Sequence, residues 1–184
     1  MNPKHFCCFP DKFKAFVLGC DPSNNSDNGK QVDLEYVFGI GQDDRYFRDI
    51  LANLNLIGLH MEDIYVQNLI TEYQKLETGR NKDWEKIAGE SLHERIEEFD
   101  KADPKRTVPV LVTAQRLYNF LLTDKEQMLA AKNLYTIAKL PVAAELNKLG
   151  RPIFPFFRHY KYKLANPDFS KYAALLTAHF REDN

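Results

Sequence analysis

The sequence predicts an α/β domain built on a central, mainly parallel four-stranded sheet. Three observations carry this prediction. Four short apolar runs alternate along the chain with longer stretches of helical period, which is the pattern of strand–helix crossovers. One of the runs, Val108 to Ala114, is rich in β-branched residues with no polar alternation, as expected of a strand covered on both faces. No internal repeat or low-complexity tract breaks the alternation.

The elements follow in order. Lys14 to Gly19 is an apolar run between a charged stretch and a turn, and reads as a buried strand. The turn formers from Asp21 onward make a loop, and Glu35 to Gly41 reads as a small strand or a loop lining. From Asp44, Phe47, Ile50, Leu51, Leu54 and Ile57 recur at spacings of three and four, and Gly58 ends that helix. Asp63 to Leu69 is the second strand. Trp84, Ile87, Ala88, Leu92, Ile96 and Phe99 mark a helix from Asp83 to Lys101, broken by the segment Ala102 to Thr107. Val108 to Ala114 is the third strand. Helical sequence runs from Gln115 to Leu122 and again from Asp124 to Leu149, with Pro141 a start, stop or kink within it. Residues 123–149 are long for one crossover and predict an inserted helical hairpin. Arg151 to Phe157 is a fourth strand shortened by its prolines, and a last helix spans Phe169 to Phe180.

A chain of 184 residues fits one domain, here taken as residues 1–184. Its apolar fraction of 44% and charged fraction of 28% are ordinary for a soluble globular protein. No apolar run approaches a membrane span, and the N-terminal residues lack the apolar core of a signal peptide, so cytoplasmic residence and no membrane partner are the default expectations. Cys7, Cys8 and Cys20 have neither chelate nor disulfide spacing, and the histidines are scattered, so neither a metal nor another cofactor is expected. The net charge of −1 argues against a general polycation for nucleic acid, although Arg151, Arg158, Lys161, Lys163 and Lys171 form a locally basic stretch.

In an open parallel sheet, ligands bind beyond the carboxyl ends of the strands. Those ends bring Asp21, Asn68 and His159 to one edge from distant parts of the chain. Taken singly, Asp21 serves equally as a turn cap, Asn68 as a loop amide and His159 as a surface histidine; their convergence is what points to a site. A second carboxylate of the DxDxT type, a glycine-rich dinucleotide loop, a P-loop and a GxSxG elbow are all absent from the sequence.

Leu18-Gly19-Cys20-Asp21-Pro22 resembles the Gly-Gln-Asp-Pro-Tyr-His motif of the uracil-DNA glycosylases. Tyr65 to Thr71 is similar to the block of that family that ends in a uracil-reading asparagine, and Asn81 to Glu85 resembles its Lys-Gly-Trp-Glu. Phe156-Phe157-Arg158-His159 stands where the family has His-Pro-Ser-Pro-Leu-Ser, and Asp168 to Lys171 resembles His-Phe-Ser-Lys. The chain departs from the family where Ser23 and Asn24 follow Asp21-Pro22 in place of a thymine-excluding tyrosine, and where Tyr160 to Leu164 replace the DNA-pinching loop.

The resemblance implies a three-layer α/β/α fold and a monomeric enzyme that hydrolyses the N-glycosidic bond of uracil or a related modified base in DNA. In that scheme ionised Asp21 stabilises the sugar cation and orients water, and His159 donates to uracil O2 as negative charge grows there. The carboxamide of Asn68 pairs with O4 and N3–H of a flipped uracil. Phe38, or else Tyr36, stacks on the base, a core role for Phe38 being as good a reading. The backbone at Cys20 or Asp21 assists at O2. No lysine stands at these strand ends, which favours water over a Schiff base. Arg158, Lys161 and Lys163 would meet phosphates, Tyr160 and Tyr162 would stack on exposed bases, and Leu164 or Tyr162 would act as a wedge. Two other readings stay open: a catalytically inactive glycosylase-like module that binds nucleic acid or protein, and a small hydrolase acting on free nucleosides.

Overall fold

The structure is a computed structural model, described here for residues 2–22, 33–137 and 141–182. Five strands form one mixed sheet: β1 (Phe6–Cys7), β2 (Ala15–Gly19), β3 (Ile64–Asn68), β4 (Val110–Val112) and β5 (Ile153–Pro155), in the order β1-β3-β2-β4-β5. The four predicted strands are all present and mutually parallel. The four-strand count is corrected by β1, which pairs antiparallel with the outer edge of β3, Phe6 opposite Val66 and Cys7 opposite Tyr65. Two residues carry no period, so the sequence pattern gives no sign of this strand.

The helices are α1 (Arg48–Leu56), α2 (Trp84–Ala102), α3 (Gln115–Leu121), α4 (Ala131–Ile137) and α5 (Ser170–Glu182). Register separates the two faces of the sheet. Phe16, Tyr65 and Val110 are paired neighbours and share one face; there the Phe16 ring stacks on Phe99 of α2 at 4.0 Å. Val17, Val66, Leu111 and Phe154 point the other way, and Phe154 meets His179 and Phe180 of α5. Helices therefore cover both faces, and the four parallel strands are buried throughout, as their continuous apolar character requires, while β1 at the edge is half-buried.

The α2 face also buries charge. Arg151, 1% exposed, lies over the Phe16 ring at 5.1 Å and donates to Asp103 Oδ2 at 2.8 Å and Asp100 Oδ1 at 2.9 Å. Arg151 is thus a core cation and does not belong to an exposed basic stretch. Arg95, also fully buried, pairs with Glu98, which in turn accepts from the Tyr65 hydroxyl at 2.6 Å.

The described residues of 123–149 do not form a helical hairpin. They hold a short turn of helix at Lys125–Gln127, helix α4, and another turn at Ala144–Leu146. Nor are they peripheral. Tyr135 of α4 is buried among Phe157, Tyr162, Phe169 and Tyr172, and its hydroxyl accepts from the Phe157 amide at 2.5 Å. Val142 pairs with Ile153 and shields the open edge of β5. Pro141 lies between these pieces, where it cannot continue a helix.

Candidate functional site

The carboxyl ends of β2, β3 and β4 surround a cavity of about 240 Å³. Cys20, Asp21, Phe38, Asn68, Arg116 and Arg158 all line it, with Thr78 and Tyr46 among the remaining walls. The strand pairing sets this arrangement. Hydrogen bonds continue past the ends of β2 and β3, with Leu69 N to Gly19 O at 2.8 Å and Ile70 N to Cys20 O at 3.0 Å, so Cys20 and Asn68 leave the sheet side by side.

Gly19 lies opposite Asn68 in the register, and its lack of a side chain is a steric requirement. A Cβ built there would stand 2.2 Å from Asn68 Oδ1 and 2.5 Å from Phe38 Cζ. The carboxamide and the aromatic ring therefore converge over this one glycine. Phe38 sits in the left-handed region, φ 58° and ψ 11°, unusual for a bulky residue and costing on the order of 1–3 kcal/mol. Its segment is tied to the N-terminal strand region by Lys4 N to Glu35 O at 2.8 Å and Val37 N to Lys4 O at 2.9 Å, and its ring packs edge-on against Phe47. Residues 35–41 are thus a loop lining, with a helical turn at Val37–Gly39. Tyr36 packs against Phe6 and is not among the residues lining the cavity.

Asn68 is 3% exposed, and its backbone N–H donates to Gln67 Oε1 at 2.9 Å. Asn68 lines the cavity, and among the described residues its carboxamide makes no hydrogen bond to the protein, so its donor and acceptor are not committed elsewhere. Two donors help orient the Asp21 carboxylate: Oδ2 accepts from Trp84 Nε1 at 2.9 Å and from Thr78 Oγ1 at 2.5 Å. The indole of Trp84 is fully buried at the start of α2, so this anchor is rigid. Burial pushes the Cys20 thiol up to about 12, and the Asp21 charge beside it adds to the effect, which leaves Cys20 a neutral lining group.

Arg158 and His159 exchange the places expected of them. Arg158 N donates to Thr113 O at 2.9 Å, and Thr113 in turn donates to Leu18 O through both N and Oγ1 at 3.0 Å. This ladder holds Arg158 at the cavity. The next residue leaves it: His159 is exposed, does not line the cavity, and caps the helical turn Tyr160–Tyr162 by accepting from Lys161 N at 3.3 Å. The expectation that Asp21, Asn68 and His159 share a hollow is thus met by two of the three, with Arg158 in place of the imidazole.

The basic loop is likewise divided. Tyr160 is 63% exposed and Lys161 is exposed beside it, while Lys163 pairs with Asp49 at 3.3 Å. Tyr162 packs into the aromatic cluster around Tyr135 and is not free to stack on a base. Leu164 is buried, its N–H donating to Asn53 Oδ1 at 2.9 Å, so it is not an available wedge. Ser23 and Asn24 lie outside the described residues.

Pattern reading missed Arg116 and Thr78. Arg116 lies over the Trp84 ring at 5.1 Å and donates to the Thr78 carbonyl. Thr78 comes from a loop with no recognisable spacing, and Arg116 from the first turn of the helix expected after the third strand, where no motif marks it. Among the described residues no cluster of three or more potential metal ligands occurs, and no helix is long and apolar enough to cross a membrane. No protein-family model matches the chain, and no curated protein is significantly similar to it.

Proposed function

We propose that this chain is a DNA base-excision glycosylase that hydrolyses the N-glycosidic bond of uracil or a related modified base. One observation carries the reading: a carboxylate, a carboxamide and an aromatic ring from three separate segments, Asp21, Asn68 and Phe38, line one small cavity at the carboxyl ends of a parallel sheet. Its 240 Å³ falls below the roughly 300–1,000 Å³ of sites for drug-sized ligands, a size suited to one nucleobase. The blocks around Asp21, Asn68 and Trp84 that resemble uracil-DNA glycosylase motifs converge here, which supports the same reading.

In this mechanism the flipped base slides against Phe38, and the Asn68 carboxamide reads its O4 and N3–H edge. As the glycosidic bond lengthens, the sugar becomes cationic and the base anionic. Asp21, steadied by Trp84 and Thr78, stabilises the cation and orients the attacking water. Stabilisation of the leaving base falls to Arg158 instead of His159, because Arg158, exposed at the mouth and tethered there through its backbone, lines the cavity and offers charge and donors to an anionic oxygen. Excision from a uracil-containing single-stranded oligonucleotide tests this assignment. Arg158→Ala is expected to lower the rate by about 10²-fold or more, as for loss of one oxyanion donor, with His159→Ala close to wild type. The reverse order returns the role to the histidine.

A second reading, a glycosylase-like module that binds without cleaving, is favoured by the position of His159 outside the cavity. It predicts oligonucleotide binding with no base release.

A further inference from the structure

A second, shallower groove of about 330 Å³ adjoins the base cavity and is lined by Gly79, Arg80, Asn81, Lys82 and Arg116. Gly79 and Arg116 line both hollows, so the two are direct neighbours. Three of its five lining residues are cationic and none is acidic. Lys82 is exposed and has no ion-pair partner among the described residues, while Arg80 is 80% exposed and only loosely paired, 3.9 Å from Glu77. Arg116 has no carboxylate partner among the described residues; it uses one N–H on the Thr78 carbonyl and rests its flat face on Trp84, leaving the other donors of its guanidinium available.

We propose that Arg80, Lys82 and Arg116 form a phosphate-binding subsite for the polynucleotide strand whose base enters the adjoining cavity. The inference rests on the glycosylase reading and narrows it: the substrate is a base within a strand, recognised partly through a neighbouring phosphate, and not a free nucleoside. Trp84 links the two halves of the site. Its ring edge holds the Asp21 carboxylate, and its face supports the Arg116 guanidinium. A phosphate seated on Arg116 therefore sets the distance of the sugar from Asp21. An exposed basic cluster beside a cavity, with Asp21 on the cavity side, suits an anion that arrives attached to the base.

Binding of a single-stranded oligonucleotide carrying a non-hydrolysable 2′-fluoro-deoxyuridine is measured against salt for wild type and Arg80→Ala/Lys82→Ala. Free uracil is titrated in parallel by NMR. Each single-strand phosphate contact contributes about −0.7 to the slope of log affinity on log salt. The double variant is expected to flatten that slope by about 1.4 and to bind free uracil as wild type does. An unchanged slope, or wild-type protein that does not bind the oligonucleotide, overturns the subsite. A flattened slope with no uracil binding by either protein leaves the phosphate subsite standing and overturns the base-cavity reading instead. Both substituted side chains are exposed, and a circular-dichroism melt verifies that the variant is folded.

Discussion

Gly19→Ala tests the geometry of the cavity with a single methyl group. The added carbon would lie 2.2 Å from Asn68 Oδ1 and 2.5 and 2.9 Å from the Phe38 ring, against about 3.5–4.0 Å for an ordinary contact. Relief needs a movement of about 1 Å by one partner or both. Neither moves freely. Asn68 is held in the β2–β3 register and by the Gln67 side chain, and Phe38 already occupies a strained backbone region braced by Phe47. Overpacking of this kind costs about 1–3 kcal/mol. At about 2–4 °C per kcal/mol for a chain of this size, the melting temperature should fall by roughly 2–12 °C. A displacement of that size at the base-reading groups should also lower the excision rate by about 10²-fold. Gly89→Ala is the matched control: Gly89 lies exposed within α2 with nothing near its would-be Cβ, and alanine there should stabilise by up to about 1 kcal/mol. Melting followed by circular dichroism, with excision assayed on the same samples, reads both effects. If Gly19→Ala melts like wild type and cleaves at the same rate, the convergence of Asn68 and Phe38 over Gly19 is wrong.

Three further outcomes follow from the same structure. Trp84→Phe keeps a ring but removes the N–H that reaches Asp21; loss of a charge-assisted hydrogen bond of about 1.5–3 kcal/mol should slow excision by about 10- to 100-fold, and a wild-type rate would deny the indole its orienting role. Cys20, whose thiol is pushed up to about 12, should resist alkylation by iodoacetamide at pH 8 in the native protein while exposed Cys8 reacts, a contrast that mass spectrometry of labelled peptides reads directly. Burial pushes the Asp100 carboxyl up, but hydrogen bonds and charge from Arg106 and Arg151 outweigh it and hold the group below its ordinary value. Its stabilising contribution is therefore complete above about pH 4 and is lost as pH falls through the lowered value. Arg151→Met, which also strands the Asp103 carboxylate, should cost about 3–5 kcal/mol at neutral pH and flatten the acid limb of the stability profile, as denaturant titrations across pH will reveal.

The parallel core was legible because its strands are apolar on both faces, and the ends of those strands named Asp21 and Asn68 without any contact being known. Phe38 was legible only as an aromatic near the right strand; its left-handed backbone and contact with Gly19 are tertiary facts. The exchange of Arg158 for His159 turns on where one peptide leaves the sheet, a one-residue matter that periodicity does not resolve after a strand bent by prolines. Residues 123–149 misled for a related reason. Their apolar residues fit a helical period, but Tyr135 and Val142 are spent on filling the α5 side and covering the edge of β5. Arg116 and Thr78 reach the cavity through Trp84 and a loop turn, links that no linear spacing encodes.

The most direct test is release of uracil from a single-stranded oligonucleotide by wild-type protein and by Asp21→Asn, followed as abasic sites cleaved by alkali. Asp21→Asn keeps the shape of the side chain and the contacts to Trp84 and Thr78 within reach, but removes the charge that would face the developing sugar cation. The expected result is excision by wild type and a rate lower by about 10²-fold or more in the variant. Equal rates, or no release by wild type from uracil or any modified-base substrate, would contradict the catalytic assignment of this cavity.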